Sequence, residues 1–149
     1  MSEIPIGRSL TVRQGTDIAI LAFGSMVQPC RAVAKQLNAT LINMRFVKPL
    51  DSDAILTASR KYTHLVTVEE NAVAGGAGSG VNELLAANGH VAAILNLGLD
   101  DTFIQHGTRE ECLHQAGLDE NGILNSILQF TGRDLSGNAV DKMASQTGS

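Results

Sequence analysis

Short apolar runs alternate with segments of helical periodicity along most of the chain. The runs are Ile18 to Phe23 (IAILAF), Thr40 to Met44 (TLINM), His64 to Val68 (HLVTV) and Val91 to Asn96 (VAAILN). None shows the in/out alternation of a half-wet strand. Each therefore predicts a strand buried on both faces, as in a parallel sheet covered by helices. Between them, Met26, Cys30, Val33 and Leu37 fall on one stripe of a helix over about 26–37. Asp51 predicts the N-cap of a second helix reaching about Tyr62, with Leu50 and Ile55 as its hydrophobic staple. A third is predicted from near Ser79, with Val81, Leu84 and Leu85 as its apolar face, stopping at Asn88-Gly89. This strand–helix order is that of an α/β domain with right-handed crossovers.

The pattern changes after the last run. Thr108-Arg109-Glu110-Glu111 is a capping box for a short helix closing at Gly117, and Asp119 caps a final helix with Ile123, Ile127 and Phe130 on one stripe. Ser9 to Arg13 reads either as a short edge strand or as a loop. Residues 131–149 are polar, rich in Gly, Ser, Asn and Gln, and are expected to be a mobile tail.

Composition narrows the class. With 149 residues, 44% hydrophobic, 17% charged and a net charge of −4, one folded domain is expected. That charge and the 3% aromatic content argue against a nucleic-acid partner. No apolar run approaches the ~20 residues that cross a bilayer, and residues 1–17 lack the apolar core of a signal peptide. Cys30 and Cys112 form no CxxC pair and suggest reduced thiols in a cytoplasmic protein.

Candidate chemistry is sparse. Gly75-Gly76-Ala77-Gly78-Ser79-Gly80 joins a strand to a helix, where backbone N–H groups favour anions. It matches neither GxGxxG nor a P-loop, and the competing reading is a turn that packs closely on a neighbour. Glu69-Glu70-Asn71 ends a strand, where open α/β sheets place functional groups. Adjacent residues on a strand point to opposite sides, so the two glutamates are not expected to form a coupled dyad. One should cap a turn or face a partner, and the other should meet solvent. The four histidines lack metal-ligand spacing; His106, before Gly107, is the one a turn could aim at a site. Arg45, beyond a strand end, marks a sharp corner at Pro49 or pairs with a carboxylate across a domain boundary.

Three stretches carry a resemblance. They are Asn43-Met44-Arg45-Phe46-Val47-Lys48-Pro49-Leu50-Asp51, Thr67-Val68-Glu69-Glu70-Asn71-Ala72 with Gly75 to Val81, and Leu97 to Ile104 with Ala116 to Ile123. Over about residues 4–130 the sequence resembles the C-terminal domain of the transketolase family, and within it the 1-deoxy-D-xylulose-5-phosphate synthases. Asp100 departs from the proline usual there. The resemblance implies a three-layer α/β/α domain over residues 8–130, preceded by a linker or artificial start at 1–7. Its mixed five-stranded sheet would have the order 1-3-2-4-5, the first strand antiparallel. Gly24-Ser25 and Glu69-Glu70-Asn71 would then share one crevice.

The resemblance also implies a parent enzyme that uses thiamine diphosphate and magnesium to join pyruvate and D-glyceraldehyde 3-phosphate, an isoprenoid-precursor reaction. The Gly-Asp-Gly motif that holds the diphosphate is absent. The chain is therefore expected to bind no cofactor or metal and to carry no catalytic residue. It would contact upstream domains and a second subunit through Arg45, Glu69, Glu70, Asn71 and His106, with Gly75, Gly76, Gly78 and Gly80 as a structural turn. The alternatives are a stand-alone phosphate or nucleotide module, or the equivalent domain of a transketolase or a 2-oxoacid dehydrogenase β-subunit.

Overall fold

A computed structural model describes residues 8–45, 50–72, 76–90, 93–99 and 107–134. Five strands, β1 (Leu10–Arg13), β2 (Ile18–Ala22), β3 (Thr40–Asn43), β4 (His64–Ala72) and β5 (Ala93–Leu99), form one sheet in the order β1-β3-β2-β4-β5. β1 runs antiparallel to β3, and every other pairing is parallel. This is the order the resemblance implies, and Leu10–Arg13 is a strand rather than a loop.

The helices are α1 (Val27–Leu37), α2 (Ser52–Lys61), α3 (Ala77–Ala87), α4 (Arg109–Gln115) and α5 (Glu120–Thr131). Alternation along the strands splits the core in two. Ile18, Ile20, Ala22, Leu41, Val66 and Val68 face α1 and α5, where Cys30, Val33, Ile123 and Ile127 close the layer. Ala19, Leu21, Ile42 and Leu65 face α2 and α3, meeting Ile55, Ala58, Val81 and Leu85. Burial pushes the Cys30 thiol up to about 12, so this cysteine is an apolar packing group.

Some boundaries differ from the sequence reading. α3 starts at Ala77 rather than Ser79, and β4 continues to Ala72. β5 is half-buried rather than covered on both faces, because it is the sheet's edge and pairs only with β4. Residues 1–7, the corner at Phe46–Pro49 and residues 135–149 lie outside the described residues.

Aspartates at the N-cap position cap two of the helices, α2 and α5. Asp51 accepts from Ala54 N–H at 3.2 Å, and from the Ser9 N–H and hydroxyl at 2.7 and 2.9 Å. Burial alone would raise its pKa, but the Ser9 and Ala54 donors, with Arg8, outweigh that and hold it below the ordinary 3.8. Asp119 is held down by His114 at 2.6 Å and by Gly122 N–H at 2.8 Å. A carboxyl whose folded pKa is depressed stabilises the fold above its unfolded pKa and loses that contribution as pH falls through the folded value. Urea midpoints at pH 5 and 2.5 are therefore expected to fall less in an Asp51→Asn/Asp119→Asn double variant than in the native chain. Equal losses would show that the two caps do not cause the acid lability.

Candidate functional site

The chain reverses its winding between β2 and β4. From β2 it turns one way through α1 to β3, then returns through α2 to β4 on the other side of β2. Open α/β sheets form a crevice at such a point, beyond the carboxyl ends of the strands. Gly24-Ser25 leaves β2 here as a single 3₁₀ turn, and Glu69-Glu70 lies near the end of β4. Pairing between β4 and β5 slips between Val68 and Ala72, so the strand is irregular where the glutamates stand.

The two carboxylates part as strand geometry requires. Glu70 lies on the Val66 and Val68 side, half-exposed, and accepts from the Ser25 hydroxyl at 2.5 Å. Glu69 lies on the Leu65 and Thr67 side and is 3% exposed. Its Oε1 accepts from Ala77 N–H at 2.9 Å and its Oε2 from Gly78 N–H at 2.5 Å. The helix-capping position before α3 is Gly76, which has no side chain to accept those bonds. Glu69 takes that role from the neighbouring strand, placing negative charge on the positive end of the helix.

A polar layer extends from this cap. Asn82 Nδ2 donates to Asn96 Oδ1 at 2.8 Å, and Asn96 Nδ2 donates to the buried Thr67 hydroxyl at 2.7 Å. A Cβ on Gly78 would come within 2.9 Å of Thr67 Oγ1, 3.0 Å of Asn96 Nδ2 and 3.1 Å of Glu69 Oε2. Gly78 is thus required for close approach and not for a left-handed backbone. A Cβ on Gly80 would lie 3.1 Å from the Leu50 side chain. The sequence reading missed Thr67, Asn96 and Asn82. Thr67 and Asn96 are each a polar residue in an apolar run, and the two are register partners; Asn82, on α3, lies in neither run.

Arg45 follows β3 with φ +59°, its N–H donating to Asn43 Oδ1 at 3.0 Å. Among the described residues no carboxylate pairs with its guanidinium. Gly75, His106 and the side chain of Asn71 lie outside the described residues. The structure therefore brings together Ser25 with Glu70, and Glu69 with Ala77 and Gly78.

Residues 7–123 match the family of the transketolase C-terminal domain. The chain belongs to that family. As a transketolase C-terminal domain it is 51% identical over 127 residues to 1-deoxy-D-xylulose-5-phosphate synthase of Nitrosospira multiformis, covering 85% of this chain and 21% of the relative. It is 53% identical over 130 residues to the synthase of Buchnera aphidicola subsp. Schizaphis graminum, covering 87% and 22%. The chain thus spans about a fifth of the length of these curated relatives. Among solved structures, a split-gene transketolase superposes with a TM-score of 0.79 at 27% identity, over 86% of this chain and 43% of that one. A 2-oxoglutarate:ferredoxin oxidoreductase from Magnetococcus marinus shares the fold alone, with a TM-score of 0.50 at 12% identity over 83% of this chain and 19% of that one. Among the described residues no helix is long and apolar enough to cross a membrane.

Proposed function

We propose that this transketolase C-terminal domain is the third domain of a 1-deoxy-D-xylulose-5-phosphate synthase, where it supports interdomain packing and dimer assembly and catalyses nothing alone. The parent reaction decarboxylates pyruvate and joins the remaining two-carbon unit to D-glyceraldehyde 3-phosphate, a step toward isoprenoid precursors in the cytoplasm. Thiamine diphosphate, held with magnesium by upstream domains, supplies that chemistry. The identity of about half over 85% of the chain to two named synthases carries this reading. The 27% identity to the split-gene transketolase favours a transketolase parent less.

The described residues do not fit the cofactor. The start of α3, the part of the glycine turn among the described residues, already holds the Glu69 carboxylate on the N–H groups of Ala77 and Gly78. A second anion there would face that carboxylate at close range and compete with it for the same two N–H groups. The same occupancy weighs against a stand-alone phosphate or nucleotide module. The split-gene transketolase is described as an inactive β4 tetramer, which supports self-association without activity in chains that carry this domain. The contact surface we favour is the rim of the switch-point crevice, with Glu70 set by Ser25, together with Arg45 after the end of β3. Asn71 and His106 belong to the same proposal.

The purified 149-residue chain is expected to form no product from pyruvate and glyceraldehyde 3-phosphate with thiamine diphosphate and magnesium. Its melting temperature should not move with that cofactor. A ligand at 100 times its Kd would add about 2.7 kcal/mol, roughly 5–10 °C for a chain of this size. Turnover above a blank, or a shift of that order, would overturn the reading. The same melting series with inorganic phosphate and nucleotides tests the module alternative.

A further inference from the structure

At the opposite end of the sheet lies a cluster that the proposed function does not use. His64 opens β4, and the turn before β2 places Asp17 beside it in a left-handed conformation, φ +65°. The Asp17 carbonyl accepts from Thr63 N–H at 2.9 Å, His64 N–H at 3.1 Å and the Thr63 hydroxyl at 2.9 Å. Its carboxylate accepts from Arg133 Nη1 at 3.2 Å. Arg133 follows the end of α5, and from the last turn of α5 the Phe130 ring meets the His64 ring edge-on, centroids 5.2 Å apart at 85°. A cleft of about 250 Å³ lies beside these contacts, lined by Gln36, Asn38, Leu128, Thr131 and Arg133. On the Asp17–His64 side the end of α5 is held by the Arg133–Asp17 ion pair and the Phe130–His64 ring contact, with Phe130 also packed against the core.

Proton bookkeeping gives the cluster a direction. The Thr63 hydroxyl lies 2.9 Å from both the Asp17 carbonyl oxygen and His64 Nδ1, tying the ring to the turn that carries Asp17. The charged groups acting on the ring are Arg133, from the segment after α5, and Asp17, from the turn before β2; Phe130 and Thr63 carry no charge. Burial first, and then the Arg133 guanidinium, hold His64 below its ordinary 6.5, with Asp17 opposing them. Freed from both, the ring binds a proton more readily, so opening takes up a proton.

We infer that Asp17, His64 and Arg133 form an acid-sensitive latch that fastens the end of α5 to the foot of the sheet at neutral pH and releases it on mild acidification. The test is hydrogen exchange on the full 149-residue chain at pH 7.5 and 5.5, read as protection factors so that intrinsic exchange chemistry cancels. The amides of Phe130 to Arg133 are expected to lose protection several-fold at pH 5.5, with about tenfold per pH unit as the ceiling for one proton. Those of β2 should hold theirs. His64→Gln, neutral at both pH values, should abolish the difference, and Arg133→Gln should reduce it. Unchanged protection in the native chain, or a full acid response in His64→Gln, would overturn the latch. If His64→Gln does not fold, NMR of the native chain decides. The His64 ring and the Phe130–Arg133 amides must titrate with one midpoint, and separate midpoints would reject the inference.

Discussion

Replacing Glu69 by alanine is expected to lower the melting temperature by roughly 6–12 °C. The side chain is 3% exposed and accepts both the Ala77 and the Gly78 N–H groups. Removing it strands two buried donors, each costing about 1–3 kcal/mol when unpaired. It also leaves the positive end of α3 without the charge that faces it. Release of the carboxylate from burial offsets part of this, and a net loss of about 3 kcal/mol corresponds to that melting shift at this chain length. A second readout separates cap from mere packing. With the carboxylate gone, inorganic phosphate should recover part of the lost stability in Glu69→Ala while leaving the native chain unmoved. A variant melting within about 2 °C of native would mean that water serves those N–H groups equally well.

Much of the fold could be read from the sequence because local and global signals agree. The uninterrupted apolar runs at Ile18 and Thr40 are buried because β2 and β3 lie inside the sheet. Asp51, Thr108 and Asp119 cap the helices they predict, each accepting an N–H within its helix's first turn. Periodicity could not separate an inner strand from an edge strand, since Val91 to Asn96 is as apolar as the others while β5 has a neighbour on one side only. The start of α3 was misplaced because Gly76, Gly78 and Gly80 carry no apolar pattern, and the first turn is specified by an acceptor on another element. One of Glu69 and Glu70 was legible as a turn cap or a partner contact, and only the placement of β4 against α3 makes Glu69 the cap. Thr67 and Asn96 were hidden for the same reason: pairing across strands, and not spacing along them, joins buried Thr67 and half-buried Asn96 into one polar layer.

That layer crowds Gly78 from three side chains, Thr67, Asn96 and Glu69. Replacing Gly78 by valine is expected to cost at least about 3 kcal/mol, a loss typical of overpacking a buried site that also breaks hydrogen bonds. Its Cβ alone would sit 2.9–3.1 Å from Thr67 Oγ1, Asn96 Nδ2 and Glu69 Oε2, and the two further methyl groups would have to displace them. Alanine is a graded control. It adds only the Cβ, whose neighbours are side-chain ends, and about 1 kcal/mol of helix propensity over glycine offsets part of the crowding. Valine should therefore melt well below alanine, and alanine at or modestly below native. The sharper measurement is the double-mutant cycle with Glu69→Ala. If the glycine is there to admit the Glu69 cap, removing the cap first frees space and relieves part of the valine penalty, giving a coupling above about 0.5 kcal/mol. Additive losses would separate the two residues and leave Gly78 constrained by Thr67 and Asn96 alone.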